Sequence, residues 1–173
     1  MISQGPHKVE KTRRRVRALF DGDYVFDVTD ARHVWEHPYY PQYYVRTQSI
    51  KPSFLVKQQA VDESDAAFYA RLTGPSRSTD RVLIFEKGDL AGLVRIEFDA
   101  CDWFEEDVQI HQHPKDPYKR IDILPSTRKV TIKVDEIIVA ESSSNMFLFE
   151  TGLRPRYYMP KTKVSWSRHR CTT

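Results

Sequence analysis

Residues 149–160 read Phe-Glu-Thr-Gly-Leu-Arg-Pro-Arg-Tyr-Tyr-Met-Pro, and an earlier stretch of the chain resembles them. Residues 35–45 read Trp-Glu-His-Pro-Tyr-Tyr-Pro-Gln-Tyr-Tyr-Val, and a gapless offset of 114 residues aligns the two. The pairs matched at this offset are Arg14 and Arg128, Val16 and Val130, Asp21 and Asp135, Val25 and Val139, Glu36 and Glu150, Pro41 and Pro155, Tyr43 and Tyr157, and Tyr44 and Tyr158. Because identical residues recur at one fixed spacing, we interpret the chain as an internal duplication of one structural unit.

The sequence upstream of each aromatic stretch alternates between apolar and polar residues. Residues 15–20 place apolar side chains at every second position, and residues 129–134 do the same. This two-residue period is typical of half-buried strands. The pair Asp21-Gly22 predicts a tight hairpin turn, because glycine tolerates a positive φ. Pro38 and Pro41 lack backbone donors and predict a turn between two further short strands.

Most of the remaining chain also favours short strands. Residues 81–85 and 93–98 are apolar on either side of a Lys-Gly-Asp turn, whereas residues 53–71 fit a helix or a strand equally well. Many short strands at turn spacing predict an all-β fold, with short antiparallel strands in two related barrel- or sandwich-like modules. The boundaries that we predict are a disordered lead-in at 1–13, a first module at 14–98, a linker loop rich in Pro, His and Asp at 99–125, and a partial second module at 126–173.

Composition limits the classes of protein to consider. The chain has 173 residues, of which 40% are hydrophobic, so it can bury a core. No apolar run approaches the roughly 20 residues that cross a bilayer, and residues 1–10 lack the apolar region of a signal peptide. We therefore expect a cytoplasmic protein with no membrane partner. The two cysteines are not spaced as Cys-x-x-Cys, so we expect a buried free thiol at Cys101 and a loose one at Cys171.

Basic residues concentrate at the two ends of the chain. Residues 1–17 carry a net charge of +5 and residues 154–173 carry +6, whereas the part between them carries −8. Basic ends could bind an anion or nucleic acid, but no nucleic-acid-binding motif accompanies them. We therefore expect solvated termini and no nucleic-acid partner, and anion or nucleic-acid binding is the weakest of three functional hypotheses.

Glutamate recurs beside tyrosine in both copies and could carry chemistry. Glu150 precedes Arg156 and Tyr157, and Glu36 precedes Tyr43 in the first copy. Burial among aromatic rings raises the pKa of a carboxyl group, which suits it to acid/base catalysis, and arginine can bind an anionic group with two parallel hydrogen bonds. We predict Glu150 and Tyr157 as catalytic residues, and Arg156, Glu36 and Tyr43 as ligand-binding residues. The alternative is a structural glutamate that accepts hydrogen bonds from tyrosine or from a turn.

The predicted linker contains a second group of polar residues. His111 and His113 are two positions apart, and Asp116 follows them. Two histidines fall short of the usual ligand count, so we predict no metal site. A hydrogen bond between His113 and Asp116 would brace the loop or orient the histidine as a base, and both residues join the predicted catalytic set. Tyr118 and Arg120 are predicted as ligand-binding residues, and Arg120 is expected to reach the glutamate of the second copy.

An acidic run at residues 105–107 follows Trp103-Phe104. Three carboxylates could hold a divalent cation, or they could form a solvated surface beside an anchored aromatic residue. The sequence contains no Gly-rich phosphate loop, no nucleophile elbow and no Cys/His catalytic pair. We therefore predict no cofactor.

Residues 103–107, 113–124 and 148–160 closely resemble tandem members of the domain of unknown function 427 family. The resemblance covers residues 14–52 as a first module and 99–166 as the linker and the start of a second. It implies a small, β-rich, duplicated protein, and the family label hints at nucleotidyltransferases. Family members continue into a Cys-Pro-Tyr-Lys-Gly or Cys-Pro-Trp-Lys-Gly stretch and further strands. Here the similarity fades after Trp166, so we expect an incomplete second module in which Cys171 does not replace the family's cysteine.

Together these patterns favour a small-molecule-binding domain, or an enzyme that uses acid/base chemistry, with an unknown ligand. The competing hypothesis is a non-catalytic structural or protein-interaction module. An incomplete module would leave a strand edge exposed, and exposed edges invite pairing with a second copy into a homo-oligomer.

Overall fold

The computed structural model describes residues 6–165 and contains only strands and short 3₁₀ helices as regular elements in that range. The strands pair antiparallel, which confirms the predicted all-β class. Across residues 6–165, no helix is long and apolar enough to cross a membrane. The described residues divide into two compact units, with 6–105 and 109–116 in the first and 106–108 and 117–165 in the second.

The first unit is built from two sheets. Its strands are β1 (Lys8–Lys11), β2 (Val16–Phe20), β3 (Asp23–Val28), β4 (Arg32–His37), β5 (Tyr40–Arg46), β6 (Leu55–Ala60), β7 (Ala67–Thr73), β8 (Ser78–Phe85), β9 (Leu93–Ile96), β10 (Asp102–Glu105) and β11 (Val108–Ile110), and its 3₁₀ helices are η1 (Thr47–Ser49), η2 (Gly88–Leu90) and η3 (Phe98–Ala100). One sheet has the order β1-β4-β5-β9-β8-β7-β6, and the other has the order β11-β10-β2-β3.

The main hydrophobic core of the first unit lies between these sheets. The alternating face of β2 buries Val16, Ala18 and Phe20, as the sequence predicts. Trp103 on β10 packs edge-on against Phe26, with ring centroids 5.6 Å apart. Each such side chain contributes about 1.5–3 kcal/mol when fully buried. A smaller cluster, formed by Val34, Tyr44, Ala67, Phe85 and Leu93, packs on the opposite face of the seven-stranded sheet.

Within residues 6–165, the second unit has fewer strands than the first. They are β12 (Ile121–Ser126), β13 (Val130–Val134), β14 (Ile137–Ser142), β15 (Asn145–Glu150) and β16 (Arg156–Tyr158), followed by the 3₁₀ helix η4 (Lys161–Lys163). They form a three-stranded sheet of order β12-β15-β16 and a two-stranded sheet of β13 and β14. The smaller set of strands agrees with an incomplete second module.

The two hairpins β2–β3 and β13–β14 confirm the duplication in detail. Their bounds and strand register repeat at the 114-residue offset, and each ladder shifts after its third pair. The turns also correspond, because Asp21 and Gly22 have φ values of 54° and 88°, and Asp135 and Glu136 have 47° and 64°. The second copy therefore keeps a left-handed turn even where glutamate replaces glycine.

Capping and turn contacts extend the repeat beyond the segment that the sequence indicated. The backbone N–H of Arg14 donates to Thr12 Oγ1, and that of Arg128 donates to Ser126 Oγ, each at 3.2 Å. The helices η1 and η4 also fall 114 residues apart. The repeat also includes β1 and β12, because the pairing of β1 with β4 recurs at the same offset in the pairing of β12 with β15.

The structure differs from the sequence-based expectations in two segments and decides between the alternatives in a third. The predicted disordered lead-in contains β1, an edge strand paired with β4 through its backbone although its side chains are mostly polar; residues 1–5 of that lead-in lie outside the described residues. The predicted linker loop at 99–125 contains β10, β11 and most of β12. Residues 53–71, which fitted a helix or a strand, contain β6 and the start of β7.

Candidate functional site

A pocket of about 290 Å³ opens in the first unit beside the smaller hydrophobic cluster. Its volume is near the lower end of the range for ligand pockets. Strands β4, β5, β7 and β8 and the turn at η2 supply most of the lining. The lining residues are Pro6, Val34, Glu36, Tyr44, Ala66, Ala67, Phe85, Lys87, Gly88, Asp89 and Leu90.

Sheet order brings three polar side chains together at this pocket. Glu36 lies two positions after Val34 on β4, so both point to the same face. Tyr44 lies on β5, the next strand, and its register partner on β9 is Arg95. Three adjacent strands therefore each contribute one member of a Glu–Tyr–Arg cluster, defined here as Glu36, Tyr44 and Arg95.

Glu36 is held by its two partners through three hydrogen bonds. Tyr44 Oη donates to Glu36 Oε1 at 2.8 Å. Arg95 Nε donates to the same oxygen at 2.6 Å, and Arg95 Nη2 donates to Oε2 at 3.2 Å. The side chains of Glu36 and Arg95 are only 13% and 20% exposed, and such bidentate, charge-assisted pairs are geometrically specific.

The surroundings fix the protonation states of both partners. Burial raises the pKa of Tyr44 well above its usual value, and the negative charge of Glu36 raises it further. Burial lowers the pKa of Arg95, but its hydrogen bonds with Glu36 and the charge of that residue outweigh this effect and raise it overall. Tyr44 therefore remains a neutral donor and Arg95 a cation around neutral pH.

A second carboxylate, from Glu97 just after the end of β9, also contacts Arg95. Arg95 Nη1 lies 3.5 Å from Glu97 Oε1, and Arg81 Nε donates to Glu97 Oε2 at 2.5 Å. The hydrogen bond from Arg81 lowers the pKa of Glu97. Of the Glu–Tyr–Arg cluster, Glu36 and Tyr44 line the pocket and Arg95 does not, so the arginine supports the carboxylate from outside the lining.

Tyr43, the tyrosine that the sequence predicted as ligand-binding in the first copy, has a different role from Tyr44. Tyr43 Oη donates to Glu105 Oε1 at 2.8 Å, and Arg14 Nη1 donates to Glu105 Oε2. All three side chains are almost wholly buried. Tyr43 and Glu105 thus form a buried polar group inside the core, away from the pocket lining.

The acidic run beginning at Glu105 is bound by protein groups in both units. In the second unit, Arg128 Nη1 donates to Glu106 Oε1 at 3.1 Å, and Ser126 Oγ donates to Oε2 at 2.7 Å. The backbone N–H of Thr127 donates to Asp107. Arg128 is the repeat counterpart of Arg14, so each copy binds one of two consecutive glutamates. No group of three or more potential metal ligands occurs among residues 6–165.

The second copy repeats part of the Glu–Tyr–Arg cluster. Glu150 and Tyr158 occupy the positions of Glu36 and Tyr44, and Arg156 Nη2 lies 3.3 Å from Glu150 Oε2. Tyr157 packs edge-on against Phe147 at 4.5 Å. Here the arginine comes from β16 itself, because the described part of the second unit has no counterpart of β9.

The residues predicted from the linker fall into different units. His113 and Asp116 belong to the first, where the ring of His113 stacks on Tyr40 at 4.0 Å. Tyr118 and Arg120 belong to the second, together with Glu150, Arg156 and Tyr157.

Arg120 lies just before β12, and its backbone is hydrogen-bonded to Thr151, the residue after Glu150. Its backbone N–H donates to Thr151 Oγ1 at 3.1 Å, and its carbonyl accepts from Thr151. The side chain is 7% exposed and lies 3.5 Å from Asp122. Tyr118, by contrast, is 48% exposed.

Sequence reasoning selected Glu36 but missed Arg95. A signal for it exists, because Arg95 interrupts the apolar run Leu-Val-Arg-Ile at residues 93–96. A charge within a buried strand requires a partner. Which carboxylate provides it depends on strand order, which the sequence pattern did not give.

The fold and this site define an all-β protein with repeated modules and a small, mostly apolar pocket whose lining includes the carboxylates of Glu36 and Asp89. The chain belongs to the family described as a domain of unknown function, DUF427 (NTP_transf_9), whose model matches residues 8–91 and 122–173. The two matched segments begin 114 residues apart, which is the offset of the duplication. No curated protein matches the chain. The family description assigns no activity.

Proposed function

We propose that the first unit binds a small molecule with an apolar body and a hydrogen-bond-donating group, best provided by an amine. The observation that carries this proposal is the Glu36 carboxylate lining a pocket whose walls include Val34, Ala67 and Phe85. Ligand sites commonly combine apolar walls with a few placed polar groups. The walls would hold the apolar body, and Glu36 would accept the donor.

Binding is better supported than catalysis at this site. Glu36 already accepts from Arg95 and Tyr44, which favours a fixed acceptor over a proton donor. A negative ligand is disfavoured, because the carboxylates of Glu36 and Asp89 both line the cavity, whereas its cationic residue, Lys87, already donates to the carbonyl of Ser64 at 2.7 Å. The acid/base hypothesis for Glu150 has less support, because its side chain is 34% exposed and paired with Arg156, as in a solvated ion pair.

The test is a titration of the ¹⁵N-labelled full chain with benzylamine, benzyl alcohol and benzoate, followed by amide chemical shifts. These probes share one ring and differ in the polar group. We expect shifts at Val34, Ala67 and Phe85, with affinity decreasing in the order benzylamine, benzyl alcohol, benzoate. Ligands of this size should bind with dissociation constants of about 1 mM, equivalent to about −4 kcal/mol. Strongest binding by benzoate would contradict the proposal.

Two matched variants separate the role of Glu36 from that of its network. Glu36→Gln and Glu97→Gln each neutralise a carboxylate that contacts Arg95, but only Glu36 lines the pocket. We expect Glu36→Gln to weaken benzylamine binding about tenfold, equivalent to about 1.4 kcal/mol, and Glu97→Gln to leave it nearly unchanged. Ala67→Leu should fill the cavity and abolish binding of all three probes. Equal effects of the two Gln variants would refute direct contact with Glu36.

A further inference from the structure

Strands β5 and β16 are repeat counterparts, but they occupy different positions in their sheets. In the first unit, β5 lies between β4 and β9. In the second, its counterpart β16 pairs with β15 and is the last strand of the sheet among the described residues. An exposed edge presents backbone groups that can pair with another extended segment.

Side chains of the second unit are exposed on β16 and on β13 of the neighbouring two-stranded sheet, where their repeat counterparts are buried. In the first unit, Ala18, Phe20 and Tyr43 join the main hydrophobic core together with residues of β7, β8, β9 and β10, and Tyr44 joins the smaller cluster. The exposed residues and their buried counterparts are Ile132 (45%) and Ala18 (0%), Val134 (52%) and Phe20 (2%), Tyr157 (50%) and Tyr43 (2%), and Tyr158 (53%) and Tyr44 (0%). The second unit therefore presents apolar surface of the kind that the first unit covers with strands.

The described part of the second unit keeps the glutamate and tyrosine of the cluster but lacks the arginine that β9 supplies in the first unit. In the first unit, Arg95 on β9 pairs with Glu36 beside Tyr44. Glu150 and Tyr158 recur at the same positions of the second unit. Arg156, whose counterpart is Gln42, contacts Glu150 but is 53% exposed. An exposed pair of this kind contributes about 0–1 kcal/mol, so an incoming arginine can replace or join it at little cost.

We propose that β16 binds an extended segment of a partner protein, which adds antiparallel to this edge as β9 adds to β5. The register of the first unit places an arginine of that segment opposite Tyr158 and an apolar residue opposite Met159. The segment thus reads apolar–Arg–apolar, with its arginine against Glu150. In this form of recognition, backbone hydrogen bonds supply affinity and alternate side chains supply specificity.

Pro160 sets one limit of the docked ladder. It stands where the first unit has Arg46, and it has no backbone N–H to donate. We therefore place the pairing on Tyr157, Tyr158 and Met159, with the docked segment running past Arg156 in the other direction.

The probe is a capped peptide of residues 91–98, Ala-Gly-Leu-Val-Arg-Ile-Glu-Phe, which contains the chain's own β9. It is titrated into the ¹⁵N-labelled full chain. We expect amide shifts at Tyr157, Tyr158 and Met159, and about tenfold weaker binding of the peptide in which glutamine replaces the arginine, a difference of about 1.4 kcal/mol.

Protein variants assign the arginine contact. Glu150→Gln should weaken binding of the arginine peptide about tenfold and make the two peptides equivalent. Arg156→Gln, which restores the residue of the first copy, should strengthen binding. Two controls should leave binding unchanged: Glu136→Gln, an exposed carboxylate of the same unit, and Glu36→Gln, which also separates this result from that for the pocket.

Three outcomes would overturn the proposal. One is the absence of shifts along β16, and another is equal binding of the two peptides to the unmodified chain. The third is that a second copy of the chain occupies this edge. Sedimentation velocity would then show a dimer in the absence of peptide, and Glu150→Gln would dissociate that dimer.

Discussion

Replacing Arg14 and Arg128 with methionine, one at a time, compares the same change at repeated positions in different surroundings. Arg14 and its partner Glu105 are each 4% exposed at the side chain. Arg14→Met would leave a buried carboxylate with its hydrogen bond from Tyr43 but without this cation. Removing one partner of a buried ion pair costs about 3–5 kcal/mol. A loss of this size is a large part of the 5–15 kcal/mol that stabilises a typical protein.

Arg128→Met should cost less. Arg128 is 30% exposed, and Glu106 keeps the hydrogen bond from Ser126 when the arginine is removed. Water can also reach the vacated position. We expect a loss of about 1.5–3 kcal/mol, the usual range for a hydrogen bond to a charged group.

Hydrogen exchange followed by mass spectrometry measures both losses, because peptides from β2–β3 and from β13–β14 report on separate units. Arg14→Met should lower protection of β2–β3 about a hundredfold or more, since 1.4 kcal/mol corresponds to a factor of ten. Arg128→Met should act mainly on β13–β14 and by a smaller factor. A loss below about 1 kcal/mol for Arg14→Met, or equal losses at the two positions, would refute the argument from burial.

Three further predictions concern the turns and the thiol. Glu136→Gly should stabilise the β13–β14 hairpin by about 1 kcal/mol, because glutamate at φ 64° is strained. Gly22→Ala, at φ 88°, should destabilise the β2–β3 hairpin by a similar amount. Urea unfolding measures both changes. Hydrogen bonds from Ser76 lower the pKa of Asp21, so its stabilising contribution is present above the unfolded value of about 3.9 and disappears as the pH falls through the lower folded value. Asp21→Asn should remove that acid dependence from exchange of the 74–77 loop, and a loop that responds to acid equally in both proteins would contradict this. Burial raises the pKa of Cys101 to about 12, so it should react far more slowly with iodoacetamide at pH 8 than a free cysteine, as mass spectrometry of the alkylated peptide would show.

The fold was largely predictable because the repeat carries local signals. Alternation and turn residues give β2, β3, β13 and β14, and these hairpins agree down to their shifted register. Strand β1 gave a weaker signal because it is a polar edge strand held by backbone pairing. Residues 53–71 were ambiguous because register shifts interrupt the ladders of β6 and β7 and break the two-residue period.

The site was only partly predictable because its partners come from outside the repeat. Glu36 was selected from its recurrence, but its cation is Arg95 on β9, 59 positions later in the chain. Because side chains alternate along β5, Tyr43 lies in the main core and Tyr44 lies at the pocket. Which of the two is in the core depends on which face of the seven-stranded sheet the other sheet packs against. Treating Glu150 and Glu36 as repeat counterparts also assumed similar surroundings, whereas the second unit has no strand equivalent to β9 among its described residues.

The most direct test of the central claim, that the Glu36 pocket binds small molecules, is a crystal structure of the chain with benzylamine. The account predicts the ring against Phe85 and Val34, and the amine nitrogen within about 3 Å of a Glu36 carboxylate oxygen, the usual distance of a charge-assisted hydrogen bond. Benzylamine bound only elsewhere, or a pocket that stays empty at saturating concentration, would contradict it.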